Sequence, residues 1–261
     1  MSEKCHSILP RSNGRLLAHI ASVSIDLNHR QVIPEHYHPE DQLIFASRGV
    51  MIVSARQGIW VVPPLRAVWI PAGTPHSVEM FGQVSMRTLY FHPGMVRALP
   101  QRCFVMNISA LLRELILHAC ELSTLTRRIA LQRSLIDVMI AQLKTANAVP
   151  LQLPRPEDMR AARIVRSLLA DPSANQTLDQ LCKACGASKR TIQRIFLTET
   201  KMSFARWRQQ LKLLHALQLL ATGEKVTAAA LEAGYNSPSA FISMFRKQLG
   251  TTPMAYFKER G

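Results

Sequence analysis

Between about Gly14 and Phe91 the apolar residues come in short runs, VMIVSA, IWVVP, AVWIP, SVEM and VSMRTLYF, separated by Gly and Pro. Runs of that length bounded by turn residues predict β-strands. In the last run Val84, Met86, Thr88 and Tyr90 recur at period two, so they share one face of a half-buried strand. Several short strands at close spacing predict a small barrel or sandwich.

Near Asn107 the period lengthens to three and four. Ser109 stands where a helix cap belongs, ahead of Leu111, Leu112, Leu115, Ile116 and Leu122; a second stretch presents Leu131, Leu135, Ile136, Met139, Ile140 and Leu143. Together they predict a helical hairpin whose apolar face suits packing on the barrel and a two-fold subunit contact equally well. The segment AVPLQLPRP, Ala148 to Pro156, then breaks both patterns and predicts a linker. The chain thus divides into a strand-rich part over residues 1–105, the hairpin and linker over 106–150, and a helical part over 155–261.

In that last part start and stop signals come close together. Thr177 and Gln180 make a capping box before LDQLCKAC, Gly186 supplies a turn, and Ser188 caps KRTIQRIFLTE. This is the layout of a helix-turn-helix unit: small Cys182 where two helices cross, Gly186 in the turn, Ile192 and Ile195 locking the second helix. That helix turns Lys189, Arg190, Thr191, Gln193 and Arg194 outward, residue types that reach base edges and phosphates. A long helix, SFARWRQQLKLLHALQLLATG, stops at Gly223, and a second unit follows. Thr227 caps TAAALEA, Gly234 makes the turn, and Ser237 with Pro238 starts a helix with Phe241, Phe245 and Leu249 as its core stripe.

Charge narrows the partners. The formal net charge is +15. Fifteen Lys and Arg face nine Asp and Glu over residues 1–154, and seventeen face eight over 155–261, so the shorter half has the larger excess. A field of that sign attracts phosphate polymers and anionic membranes alike. No run of about 18 uninterrupted apolar residues occurs, and the opening MSEKCHSILPRSNGR has no apolar leader core. The expectation is a cytoplasmic protein with no membrane partner. Five cysteines at irregular spacings, Cys5, Cys103, Cys120, Cys182 and Cys185, read as reduced thiols, the last two as packing residues rather than a metal pair.

The strand-rich part carries its own chemistry. His36 and His38 alternate along an extended segment and point to one side, Gln42 and Gly49 follow, and His76 closes PAGTPH. Three histidines brought together can hold a divalent metal. The pattern resembles the two cupin motifs, with Gln42 where metal-binding cupins carry Glu and Met80 where they carry Asn. Losing that carboxylate weakens an enzymatic reading, so His36, His38, Gln42 and His76 read first as an effector pocket or packed cluster and second as a metal site. Trp60 and Trp69 fit either the pocket lining or the core.

The ending AALEAGYNSPSAFISMFRKQLGTTPMAYFK resembles the signature of AraC/XylS-type transcription regulators, through Ala230, Gly234, Tyr235, Ser237, Phe241, Phe245, Arg246, Gly250, Thr252 and Pro253. The resemblance spans roughly Arg155 to Arg260. It implies a seven-helix domain whose two recognition helices enter successive major-groove segments, joined by a long central helix. The DNA-facing candidates are then Ser188, Lys189, Arg190, Thr191, Gln193 and Arg194 in the first unit, and Asn236, Ser237, Ser239, Ser243, Arg246 and Lys247 in the second. Ile242 and Ser243 stand where the family has a polar residue and Arg, which shifts the weight to the first helix.

The expectation is an α+β two-domain protein: an N-terminal cupin-like β-barrel with a helical segment, and a C-terminal all-α domain with two helix-turn-helix units. It would act as a homodimeric, sequence-specific regulator of promoter DNA controlled by a small effector. RNA polymerase as partner and a neighbouring transporter gene as target are what the resemblance adds. A cupin metalloenzyme localised by its DNA-binding half, and an architectural DNA-coating protein, are the competing classes.

Overall fold

The computed structural model describes residues 11–12, 15–16, 18–174 and 176–258. Cys5 and most of the opening segment lie outside the described residues. The chain divides into two compact units, residues 1–55 with 60–151, and residues 56–59 with 152–261.

The first unit opens with a minimal hairpin, β1 (Arg11–Ser12) and β2 (Arg15–Leu16). The main antiparallel sheet is built from β3 (Ile20–Leu27), β4 (Val32–His36), β5 (Asp41–Ala55), β6 (Gly58–Val62), β7 (Arg66–Ile70), β8 (His76–Phe91) and β9 (Phe104–Asn107), with short β10 (Thr124–Leu125), β11 (Ala148–Val149) and β12 (Gln152–Pro154). Its path runs β10-β3-β8-β5-β7-β9-β11; β4 pairs with β8, and β6 with β5 and β12. β5 and β8 pair along nearly their whole length, interrupted by irregularities between Ala46 and Val50. Gly49 sits there at φ +76°, and a Cβ would lie 2.4 Å from the Gln83 carbonyl oxygen, so only glycine fits.

Period-two alternation decides what each face buries. Leu43 pairs with Trp69 and Leu89. These residues, with Phe45, Ala67 and Phe91, form one core with the buried sides of α1 (Ala110–Leu122) and α2 (Ala130–Thr145), chiefly Leu112, Ile116, Ile136, Met139 and Leu143. Ser109 caps α1 by accepting from the Leu112 amide, and Ser22 Oγ donates to the Ala119 carbonyl at 2.8 Å. The hairpin therefore belongs to the sheet unit, and a division between residues 105 and 106 would cut β9. Trp69 faces the helices, not the histidines, because it packs against Phe91 at 5.5 Å in that same core.

The Pro-punctuated stretch is not without structure, as its sequence suggested. Leu151 and Leu153 are 1 % exposed, and Val61 N donates to the Leu151 carbonyl at 3.0 Å; partner strands satisfy the backbone that proline spacing alone would leave open.

The second unit contains seven helices among its described residues: α3 (Met159–Ala170), α4 (Leu178–Cys185), α5 (Lys189–Ile195), α6 (Phe204–Ala221), α7 (Val226–Glu232), α8 (Pro238–Leu249) and α9 (Pro253–Lys258). A π-helical turn, Phe196–Thr200, continues α5. Its Glu199 carboxylate accepts from the Glu157 and Asp158 amides just before α3. Fully buried Trp207 of α6 meets Phe196 edge-on and donates to the Pro154 carbonyl at 2.9 Å. α7 starts at Val226 with Lys225 at the cap position and no side-chain cap, two residues ahead of the Thr227 cap suggested by sequence.

Candidate nucleic-acid interface and histidine cluster

The first helix-turn-helix is α4, its turn and α5. Thr177 and Gln180 form the full capping box, Gly186 ends α4 in the left-handed region at φ +69°, and Ser188 caps α5 by accepting from the Thr191 amide at 3.1 Å. Ile192, Ile195 and Phe196 are buried, which aims Arg190, Gln193, Arg194 and Leu197 away from the core as an exposed row. Lys189 is exposed and pairs with Asp179 at 3.1 Å; Ser188 and Thr191 bond each other at 2.9 Å, so both serve the helix start. Cys182 and Cys185 are buried, the Cys185 thiol donating to the Cys182 carbonyl.

The second unit, α7, its turn and α8, repeats the plan with Gly234 at φ +79° and Ser237 accepting from the Ala240 amide ahead of Pro238. Phe241, Phe245 and Leu249 are buried, leaving Asn236, Ser239, Ser243, Arg246 and Lys247 exposed. The two outward faces differ in kind: α5 carries two arginines and a glutamine, whereas the middle of α8 carries serines. Between them α6 acts as a spacer with two buried-leaning cations. Arg208 donates to the Ala174 and Gln176 carbonyls ahead of α4, and Lys212 donates to the Gly234 carbonyl in the second turn. Desolvation lowers the pKa of both. A cleft of about 370 Å³ lined by Arg208, Lys212, Tyr235 and Asn236 lies along this spacer.

The first unit holds a polar cluster on the sheet face opposite Trp69. His36 ends β4 directly across from His76, which begins β8. Ring centroids lie 4.4 Å apart for His36–His76, 5.3 Å for His38–His76 and 5.7 Å for His36–His38, and all three rings are buried. Each Nδ1 sits on a backbone carbonyl: His36 on Pro34 at 2.8 Å, His38 on Glu40 at 3.2 Å, His76 on Thr74 at 2.9 Å. A carbonyl only accepts, so these contacts place a proton on Nδ1 of His36 and His76, whereas His38 has an oxygen near each ring nitrogen and its tautomer follows the orientation of the Gln42 amide. Desolvation first, and the neighbouring histidines after it, push His38 down to about 3; desolvation pushes His76 down to about 4. Gln42 completes the cluster, its Oε1 3.0 Å from His38 Nε2 and its Nε2 donating to Thr88 Oγ1 at 2.9 Å and Tyr90 Oη at 3.2 Å. The fold thus brings His36, His38, Gln42 and His76 together, with Thr88 and Tyr90 from the strand whose alternation was legible but whose role was not.

Comparison with known proteins places both halves. Residues 21–205 match the AraC-like ligand binding domain family, and residues 181–259 match a helix-turn-helix domain family. The HTH-type transcriptional regulator NimR of Escherichia coli is 36% identical over 223 residues, covering 85% of this chain and 81% of that protein. This chain belongs to the AraC family of transcription regulators. Another family member, the HTH-type transcriptional activator RhaR of Mannheimia succiniciproducens, is 23% identical over 260 residues, 90% of this chain and 91% of its own. Among solved structures, the DNA-binding domain of AdpA in complex with a target DNA is 29% identical over 38% of this chain and 91% of that one, with a TM-score of 0.37. As an AraC-family protein the chain is a DNA-binding transcription regulator with a ligand-binding domain, and neither its families nor these relatives are enzymes. No described helix is long and apolar enough to cross a membrane.

Leu197, 60% exposed beside Arg194, joins the α5 row without having been singled out by its sequence. An apolar residue in a stretch of apolar residues carries no local sign that it points outward; the π-helical turn sets its direction.

Proposed function

We propose that the chain binds promoter DNA as a homodimer, reads sequence chiefly through α5, and is controlled by a small effector held at the His36, His38, Gln42 and His76 cluster. The observation that carries the reading is the exposed row Arg190, Gln193, Arg194 and Leu197 on a helix locked by buried Ile192, Ile195 and Phe196. Arginine and glutamine pair bidentately with guanine and adenine edges, and a leucine can meet a thymine methyl. Lys189, Lys247 and Arg246 flank the two outward faces as phosphate contacts, which add affinity without choosing sequence. The serine-rich middle of α8 makes Ser239 and Ser243 weaker readers than α5.

Footprinting of the purified protein on DNA upstream of its own and adjacent genes, across a salt series, tests this. Discrete protection over adjacent major-groove segments is expected. Arg190→Ala and Arg194→Ala should each weaken specific binding by about 1 to 3 kcal/mol and relax base preference at one position, while Lys247→Ala should only flatten the salt slope by about one. Unchanged operator selectivity in both arginine variants would sink the assignment of α5 as the reading helix.

A further inference from the structure

The buried stripe of α5 breaks its rhythm where the helix ends. Ile192, Ile195 and Phe196 are buried, and at about 3.6 residues per turn the next inward position is Glu199. A carboxylate aimed at that core would be desolvated at a heavy cost. The π-helical turn Phe196–Thr200 takes up one extra residue, so Thr200 becomes the buried position and Glu199 stays exposed. Neighbouring side chains brace the turn: Thr198 Oγ1 donates to the Arg194 carbonyl at 2.9 Å and Thr200 Oγ1 to the Phe196 carbonyl at 2.6 Å. Lys201 closes it in the left-handed region at φ +58°.

The carboxylate kept out of the core is put to use. One oxygen of Glu199 accepts from the Glu157 amide at 2.7 Å and the Asp158 amide at 3.1 Å, and Asp158 is the cap of α3. A few residues upstream the Pro154 carbonyl accepts from Trp207, whose ring packs on Phe196. The end of α5 is thus fastened to the start of α3 by charge-assisted bonds, the stronger kind. The other end of α5 has its own cap in Ser188, close to Arg190. Leu197 lies inside the braced turn, two residues from Glu199 and 60% exposed on a cationic face. The thymine methyl is the apolar group that a base edge offers in the major groove.

We propose that Leu197 is a specificity-determining residue that meets one thymine methyl of the operator, and that Glu199 is its positioning residue, fixing the π-helical turn against the start of α3. The inference rests on the reading of α5 as the sequence-reading helix and deepens it. Arg190, near the Ser188 cap, keeps its aim without Glu199; Leu197 does not.

The test uses full-length protein and the operator found by footprinting. Each thymine of the protected segment is replaced in turn by deoxyuridine, which removes only the 5-methyl group, and binding is read by fluorescence anisotropy. One replacement should weaken binding of the parent protein about 4-fold, the worth of one buried methyl-sized group. Leu197→Ala should bind the two DNAs alike at that position. Glu199→Ala should also lose the methyl preference, while Arg190→Ala placed in that background still relaxes base choice at its own position. Glu199→Gln, whose amide oxygen still accepts, should restore the methyl preference. No thymine with a penalty, or a penalty kept in Leu197→Ala, would overturn Leu197 as a reader. A penalty kept in Glu199→Ala, or loss there of every base preference together, would overturn Glu199 as its positioning residue. Absence of discrete protection in the footprint, before any thymine is replaced, would mark failure of the α5 reading itself and take this inference with it.

Discussion

Lys212, in the middle of α6, donates to the backbone carbonyl of Gly234, the left-handed glycine in the turn of the second helix-turn-helix. One turn earlier on the same helix Arg208 binds the Ala174 and Gln176 carbonyls that lead into the first unit. The central helix thus holds one end of each recognition unit by a charge-assisted bond, the stronger kind. Lys212→Met keeps the aliphatic stem and removes only the donor. It should cost about 1 to 2 kcal/mol in urea unfolding and shorten the operator footprint on the side read by α8, while protection by α5 persists. Loss of both halves together would mean that Lys212 supports the whole domain rather than the second turn.

Gly186 and Gly49 share nearly the same positive φ, +69° and +76°, but differ in surroundings. A Cβ on Gly186 meets nothing within 4 Å, whereas one on Gly49 falls 2.4 Å from the Gln83 carbonyl oxygen. Gly186→Ala should therefore cost only the backbone strain, about 1 to 2 kcal/mol, and Gly186→Asn less. Gly49→Ala adds a clash with a paired strand and should exceed about 3 kcal/mol. Equal losses in the two alanine variants, measured by denaturant unfolding, would contradict this separation.

How much of this was legible in the chain follows from the range of each signal. Thr177 with Gln180, Ser188, Ser237 with Pro238, and the turn glycines Gly186 and Gly234 act within a few residues, so both helix-turn-helix units could be read directly. His36 and His38 were legible as a one-sided pair because alternation is local. The meeting of Gln42 with Thr88 and Tyr90 beside them depends on the register of β5 against β8, and no local pattern encodes a register between strands. For the same reason Trp69 could not be assigned a face. β11 and β12 exist only because partner strands satisfy them, so a Pro-rich stretch looked open. Lys212 and Arg208 sit among apolar helix positions and read as ordinary solvated cations until the turns they bind are in place.

On α2, Leu131 and Val138 are 70% and 42% exposed, and with half-buried Leu135 they follow a spacing of four and three residues. Leu111, 51% exposed, and Leu122 add apolar surface on α1. The opposite sides of both helices are committed to the sheet core, so this outer stripe is the surface that the proposed homodimer would use for a two-fold contact. Leu131→Glu combined with Val138→Glu should shift sedimentation to the monomer at concentrations where the parent protein is dimeric. Stability of the monomer unit should change by no more than about 0.5 kcal/mol per site. An unchanged sedimentation coefficient would exclude this face as the dimer contact.

Asp158 caps α3 and should write its own pH signature into the DNA-binding unit. Its carboxylate bonds Arg160 at 2.8 Å and accepts from the Arg160 and Ala161 amides, and the Arg160 side chain, ahead of those amides, holds the carboxyl down to about 2 from its ordinary 3.8. On acidification the unfolded chain takes up this proton first, so stability contributed by the ionised cap is complete above about pH 4 and drains away toward pH 2. Asp158→Ala should therefore lower the urea midpoint by a constant amount at pH 5 and above. The gap between variant and parent should narrow as pH falls through 3, leaving only what a neutral carboxyl still contributes as an acceptor. Were the gap to stay constant down to pH 2, the stabilisation would come from the shape of the cap and not from its charge.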